Sequence, residues 1–215
     1  MQNINSTSPM AHPSGLLYDP LLSTACLWGS RLSSDSALQQ YEASLVCRSV
    51  KLLSSSIFSG PSIGQQGHAI VAVIQAEVLL AKYLFSVGRL LEGKYHSGAA
   101  AALCISCHLN TSLVPGQSFT RTLDGADIHL ATTAVSPPLT DSVAIGERVN
   151  AFWTVYALDT SWSTALGYPS SIYESGVAST ASGKSMTIST PWPMRMTDYE
   201  QVRLDVNLGI HLPRK

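Results

Sequence analysis

The run Cys104-Ile105-Ser106-Cys107-His108 has the spacing that attaches a c-type haem, with two thiols for the vinyl groups and a histidine for the iron. That chemistry needs export to an oxidising compartment and a haem-sized pocket. The first twenty residues are polar and lack the basic region and apolar core of a secretory signal. The run also lies in an alanine-rich stretch that reads as a packed helix, so a core helix is preferred to a c-type haem protein built on Cys104, Cys107 and His108. Zinc fares no better, because one Cys pair and one His on a single helix lack a fourth ligand at a workable spacing.

Three further residues carry charge where the pattern is apolar: Glu77, Arg148 and Asp159. Asp159 lies among aromatic residues and could serve as a catalytic carboxylate. The alternatives are a buried carboxylate held by a donor from another segment, or a group facing a cavity that senses an effector. Arg148 cannot be that donor within one helix, since eleven residues span roughly 16 Å at 1.5 Å per residue. Glu77 sits among Ile70, Val73, Leu80, Leu84 and Leu91 at helical spacing, where a carboxylate must find donors or be protonated. The six histidines show no zinc-protease spacing, and no phosphate loop or nucleophile elbow is present. The residues point to no enzyme.

The elements that must position these groups are helices. Residues 16–32 read as a helix starting near Pro20, and Asp35 or Ser36 caps a longer one reaching Phe58. Leu38, Tyr41, Leu45, Val46, Val50, Leu52 and Leu53 are the expected buried side of that second helix. Residues 68–91 and 95–109 form a helical hairpin that reverses at Gly93, with Ala99 to Ala102 allowing close approach. On its first arm, Gln75, Lys82, Ser86 and Arg89 make a solvated line. Asp141 to Pro169 is the expected spine, capped by Thr140 or Asp141 and stopped by Gly167 and Pro169. Its stripe gathers Arg148, Phe152, Val155, Asp159, Trp162 and Leu166, with Trp153 also expected in the core. No strand alternation of useful length appears. The fold class is all-α, an irregular multi-helix bundle built from helical hairpins.

The spine also carries a resemblance. Glu147-Arg148, Asn150 to Trp153, Leu158-Asp159 and Ala165 to Ser170 resemble the signature of the fungal-specific transcription factor domain. This domain, the middle homology region, accompanies binuclear zinc-cluster DNA-binding domains. Ile74 to Ala81, Gly88 to Gly93, Cys26 to Ser30 and Thr190 to Pro193 are similar to it as well, so the likeness spans about residues 16–205. The family often has Arg after the spine's Asp, where this chain has Thr160. The resemblance implies a regulatory, non-DNA-contacting domain of a fungal RNA polymerase II transcription factor, located in the nucleus. Protein partners, a homodimer or a small-molecule effector are its implied partners. It implies no cofactor in this chain, with zinc confined to a separate DNA-binding domain. The expected organisation is a disordered segment 1–14, the front part of the regulatory domain over 15–205 with loops about 110–140 and 170–189, and a non-native tail 206–215. A truncated gene product would account for that layout. The rival architecture, a helical-repeat interaction scaffold, should repeat its hairpin at a fixed period, and the sequence shows no such repeat.

Composition bounds the partners. Charged residues are 13% of the 215 and apolar residues 45%, so most segments are expected to be buried. Residues 69–91 approach membrane-spanning hydrophobicity, but Gln75, Glu77, Lys82 and Arg89 interrupt them, and such charges cost ~2.5–3.5 kcal/mol each at a bilayer centre. A bundle helix is the better reading, and no membrane is expected. Cys26, Cys47, Cys104 and Cys107 read as reduced, inert core thiols. The net charge of −1 and the scattered basic residues leave no footprint for DNA. The purified chain is therefore expected to bind duplex DNA only nonspecifically, with affinity that collapses as salt rises. A salt-resistant, sequence-dependent gel shift would contradict this.

Overall fold

A computed structural model of the chain describes residues 19–58, 66–111, 142–172 and 188–207. The described residues form α1 (Asp19–Leu32), α2 (Ser36–Gln39), α3 (Glu42–Phe58), α4 (Gln66–Ser86), α5 (Leu90–Ser106), α6 (Ser142–Leu166) and α7 (Met196–Asn207), with no strand among them. The expectations for 1–14, for the cap at Thr140 or Asp141, and for nearly all of 110–140, 170–189 and 206–215 lie outside the described residues.

The most enclosed element is α4, not the expected spine α6. Val71, Ile74, Val78, Ala81 and Phe85 recur at alternating spacings of three and four, and pack with α5 and α6 residues such as Ala100, Cys104, Phe152 and Val155. Val73, Ala76, Leu80, Tyr83 and Leu84 form a second stripe, packed with Leu27 of α1 and Val46 and Leu53 of α3. A helix apolar on two sides must be covered on two sides. That explains why Ala69–Ser86 is long and apolar enough to cross a membrane, while 72% of it is buried within the bundle. Trp28 fixes α1 to α4, its indole N–H donating to the Leu79 carbonyl at 3.0 Å and its ring meeting Tyr83 edge-on. The Tyr83 hydroxyl donates to Glu42 at 2.6 Å, and burial together with that carboxylate pushes the phenol up to about 12.

The hairpin reverses at Gly88 rather than Gly93. Gly88 has φ +78°, and Arg89 N–H donates to the Leu84 carbonyl while Gly88 N–H donates to that of Phe85. This pair of bonds closes a helix end around a left-handed residue, a conformation that costs an L-residue roughly 1–2 kcal/mol. Gly93 lies inside α5 and serves close packing instead, since a Cβ there would sit 2.6 Å from the Phe85 ring. The ring in turn stacks on Trp162 at 4.0 Å and cannot retreat. Gly93 thus sets how closely α5 approaches α4, with Ala100 and Ala101, both wholly buried, continuing the close packing.

The N-terminal pair is shorter and more open than expected. Asp35 accepts from Ala37 N–H at 2.8 Å and caps α2, which ends at Gln39; α3 then restarts at Glu42. That break turns Leu38 and Tyr41 outward, to 48% and 55% exposure, and leaves Val46 and Leu53 as the buried members of the expected side. The tryptophans of α6 also differ from expectation. Trp153 and Trp162 are half-buried and pack against the core, whereas Phe152 is fully buried. Trp153 donates to the Pro191 carbonyl at 2.6 Å and stacks on Trp192, which ties residues 188–195 to α6. Its polar ring nitrogen needed a partner outside the core.

Gly93→Ala should destabilise the fold, because overpacking against Phe85 costs ~1–3 kcal/mol and outweighs the ~1 kcal/mol that Ala gains over Gly in a helix. Chemical denaturation of Gly93→Ala and of Gly93→Ala/Phe85→Leu checks this. The second substitution is expected to recover part of the loss, and equal or higher stability of the single variant would contradict the close-approach account.

Candidate functional site

The buried polar residues fall into separate groups rather than one cleft. Glu77 (2% exposed) and His96 (6%) meet across the hairpin, with His96 Nδ1 2.6 Å from Glu77 Oε2. Tyr95 stands edge-on to the imidazole. The carboxylate that periodicity placed in an apolar surround therefore has a partner from the other arm. Leu91, expected beside it, belongs to α5 and is 84% exposed.

Arg148 is buried at the far end of α5, where Nη2 donates to the Cys107 carbonyl at 3.3 Å. A guanidinium there faces the negative end of the α5 dipole. Burial is the main influence on its pKa and lowers it, opposed by the nearby thiols Cys107 and Cys104. No ion pair joins it to Asp159, as the distance along α6 requires.

Asp159 lies at the centre of the most developed network. Its Oδ2 accepts from the Ser170 hydroxyl at 2.5 Å and from Ile172 N–H at 3.1 Å. Its Oδ1 makes no hydrogen bond but faces Lys94 Nζ of α5 at 3.5 Å, an ion pair without hydrogen-bond geometry. Lys94 also donates to Ser163 Oγ at 3.2 Å, Ser171 Oγ at 3.0 Å and the Pro169 carbonyl at 3.3 Å. The Asp159 side chain is 0% exposed and that of Lys94 is 22% exposed. The donor expected from another segment is thus three groups: a cation from α5, and a hydroxyl and an amide from the chain just beyond α6. The helix stop delivers the latter two. Gly167, at φ +71°, ends α6 with Tyr168 N–H bonded to the Ser163 carbonyl, and Pro169-Ser170-Ser171-Ile172 then folds back over the helix end. Ile172 is fully buried in the core below.

Lys94 beside two serines has the composition of a Ser–Lys nucleophile pair. Such a pair needs a lysine that accepts the serine proton. Here the Lys94 ammonium is engaged by two hydroxyls, the Pro169 carbonyl and the Asp159 carboxylate at once, and Ser163 is 4% exposed, so no substrate can reach it. The geometry suits a tether.

Cys104 is wholly buried beside Ala100, Ala101 and Leu109, and burial pushes its thiol up to about 12. His108 stands at φ +54°, with Leu109 N–H bonded to the Cys104 carbonyl and His108 N–H to that of Ile105. It is the left-handed residue that ends α5, the role Gly88 plays for α4. The CxxCH run is a helix terminus, and its first thiol points into the core rather than toward a porphyrin. Among the described residues, no group of three or more His, Cys, Asp or Glu could hold a metal ion. Cys26 and Cys47, expected in the core, are exposed.

Helical periodicity picks out Glu77, Arg148 and Asp159 but misses Lys94 and His96. A signal exists for the first of these, because Lys94 is the one Lys or Arg between Leu90 and Cys107. Thr160 holds the position where an arginine is common after Asp159, and the cation arrives from α5 instead.

An all-α bundle whose buried polar groups hold segments together, with no assembled nucleophile or metal set among the described residues, is the class that fold and site define. Residues 2–178 match the family described as the fungal specific transcription factor domain, and the chain belongs to that family. This is a transcription-factor domain family, not an enzyme family, and it implies a nuclear role. No curated protein and no solved structure matches the chain.

Two outcomes are expected from this geometry. Asp159→Asn should cost about 3 kcal/mol, since it leaves Lys94 with an amide in place of its counter-charge. A double-mutant cycle with Lys94→Met should show coupling of ~0.5–3 kcal/mol. An unchanged unfolding midpoint for Asp159→Asn would remove the structural role. In thiol labelling of the native chain, Cys26 and Cys47 should react promptly and Cys104 only on unfolding. Rapid native labelling of Cys104 would contradict its placement.

Proposed function

We propose that this chain is the regulatory domain of a nuclear fungal transcription factor, and that it modulates a zinc-cluster DNA-binding domain without contacting DNA itself. The carrying observation is the family match over residues 2–178. The distribution of polar groups supports it. Asp159 and Lys94 are engaged in tying the end of α6 to α5, and Glu77 and His96 in joining α4 to α5. Those residues are consumed by the fold, which leaves the outer surface to do the regulating. In this reading the chain needs no cofactor of its own, and zinc belongs to the DNA-binding domain. Its partners are protein surfaces, a second copy or a small effector.

The scaffold reading has less support. Its unit would be the α4–α5 hairpin, yet α4 is covered by unlike elements on its two sides, α1 and α3 on one and α5 and α6 on the other. A repeat array buries like against like.

Fusing the whole chain to an unrelated DNA-binding domain tests the proposal. Reporter transcription from that domain's operator is expected to rise or fall reproducibly relative to the DNA-binding domain alone, and to stay at baseline when the chain is expressed unfused. A fusion of normal abundance that leaves the reporter unchanged would contradict the regulatory reading.

A further inference from the structure

Two segments return onto α6 after it ends, and they are held in different ways. Residues 168–172 are locked, with Ile172 fully buried and its amide bonded to the Asp159 carboxylate. Residues 188–200 lie beyond the matched stretch 2–178 and run back along the front of α6. Ser189 and Thr190 N–H both donate to the Asn110 carbonyl just past the end of α5, at 2.9 and 3.2 Å. The Pro191 carbonyl accepts from the Trp153 indole, and Trp192 stacks on that ring at 4.2 Å. Met196 Sδ then accepts from Asn150 Nδ2 at 3.0 Å, and the Tyr199 carbonyl from Ser142 Oγ at 2.7 Å. The contacts step from Trp153 through Asn150 to Ser142 as the segment advances.

Little of this attachment is buried. Among residues 188–200 Tyr199 alone is buried, at 5% exposure, while Ile188 is half-buried and Trp192 is 76% exposed. The Tyr199 ring lies on Gly146, where a Cβ would come within 2.5 Å of its Cδ2 and 2.6 Å of its Cγ. A contact that close to the main chain is relieved by moving α7, not by swinging the ring. Gly146 has no positive φ, so this glycine serves the ring rather than the backbone. A segment held by surface hydrogen bonds and one buried side chain opens at lower free energy than the core beneath it.

We propose that residues 188–200 are a detachable strap, latched by the Tyr199 ring on Gly146, that opens as a unit from an intact bundle. Opening frees the Trp153 indole and the Asn110 carbonyl and bares Gly146. The strap thereby sets how much of the front of α6 the domain presents. Strap and latch are read from the structure; their use in regulation rests on the function proposed above.

The test is hydrogen exchange of the full chain, read by NMR, in wild type and in Gly146→Ala. Alanine is the better helix former, so the variant acts on the latch without weakening α6. In wild type the Ser189 and Thr190 amides are expected to exchange about a hundredfold or more faster than the best-protected amides of α4, through local opening. In Gly146→Ala they should lose protection by about a further tenfold or more, while Ile172 and α4 keep theirs. Should Gly146→Ala fail to fold, Tyr199→Ala removes the latch from the other side and is read in the same way. Failure of both to fold would make strap and bundle one cooperative unit and overturn the proposal. So would Ser189 and Thr190 amides that exchange only together with those of α4, or protection unchanged in both variants. The reporter fusion supplies a second arm. Where the wild-type fusion is active, a variant that opens the strap should shift its output about twofold or more, and unchanged output would overturn the strap's regulatory role. A wild-type fusion without effect would instead refute the regulatory reading, with the exchange result still deciding the strap.

Discussion

A carboxylate with no access to water must be met by donors, and much of the C-terminal half of the bundle follows from meeting Asp159. One partner comes from α5, where Lys94 faces the carboxylate as an ion pair at 3.5 Å; Gly93, one residue earlier, packs on the Phe85 ring that stacks on Trp162 of α6. The others come from residues after α6, and can arrive only if the helix stops sharply at Gly167 and the chain turns back. Ile172, whose amide meets the carboxylate, then drops its side chain into the core. The stretch Ala165 to Ser170 is therefore a device for returning the backbone to a buried charge. An uncompensated ion in this place would cost several kcal/mol, so the network is satisfied together or fails together.

The other constraint is α4. Two apolar stripes on one helix leave little surface for charge, and much of the chain's low charge content traces to covering both. Glu77 is the exception within α4, and it is held by His96 from the neighbouring arm. Buried polar contacts between particular helices fix partners in a way that uniform apolar packing does not. Asp159 with Lys94, Glu77 with His96, and Tyr83 with Glu42 each join a different pair of helices, so that register and identity are specified together.

Helical periodicity makes the all-α class, the hairpin and the boundaries at Leu32, Phe58 and Gly167 legible in the sequence. It also shows that Glu77, Arg148 and Asp159 are buried. Periodicity does not name their partners, because Lys94 and His96 lie on another helix and only tertiary contact brings them in. Spacing alone points to Gly93 for the reversal because it does not distinguish a glycine needed for φ from one needed for close approach; Gly88 does the first and Gly93 the second. It places the tryptophans too deep because aromatic content signals burial but not the hydrogen bond that holds Trp153 at the edge. The family signature is readable from its residues.

The most direct measurement is native-state hydrogen exchange at the Ile172 amide, read by NMR in the wild-type chain and in Asp159→Asn. If the buried carboxylate holds the returning chain to the bundle, this amide is protected in the wild type to a degree comparable with the amides of α6, and loses that protection selectively in the variant. Exchange of Ile172 at the unprotected rate in the wild-type chain would contradict the account.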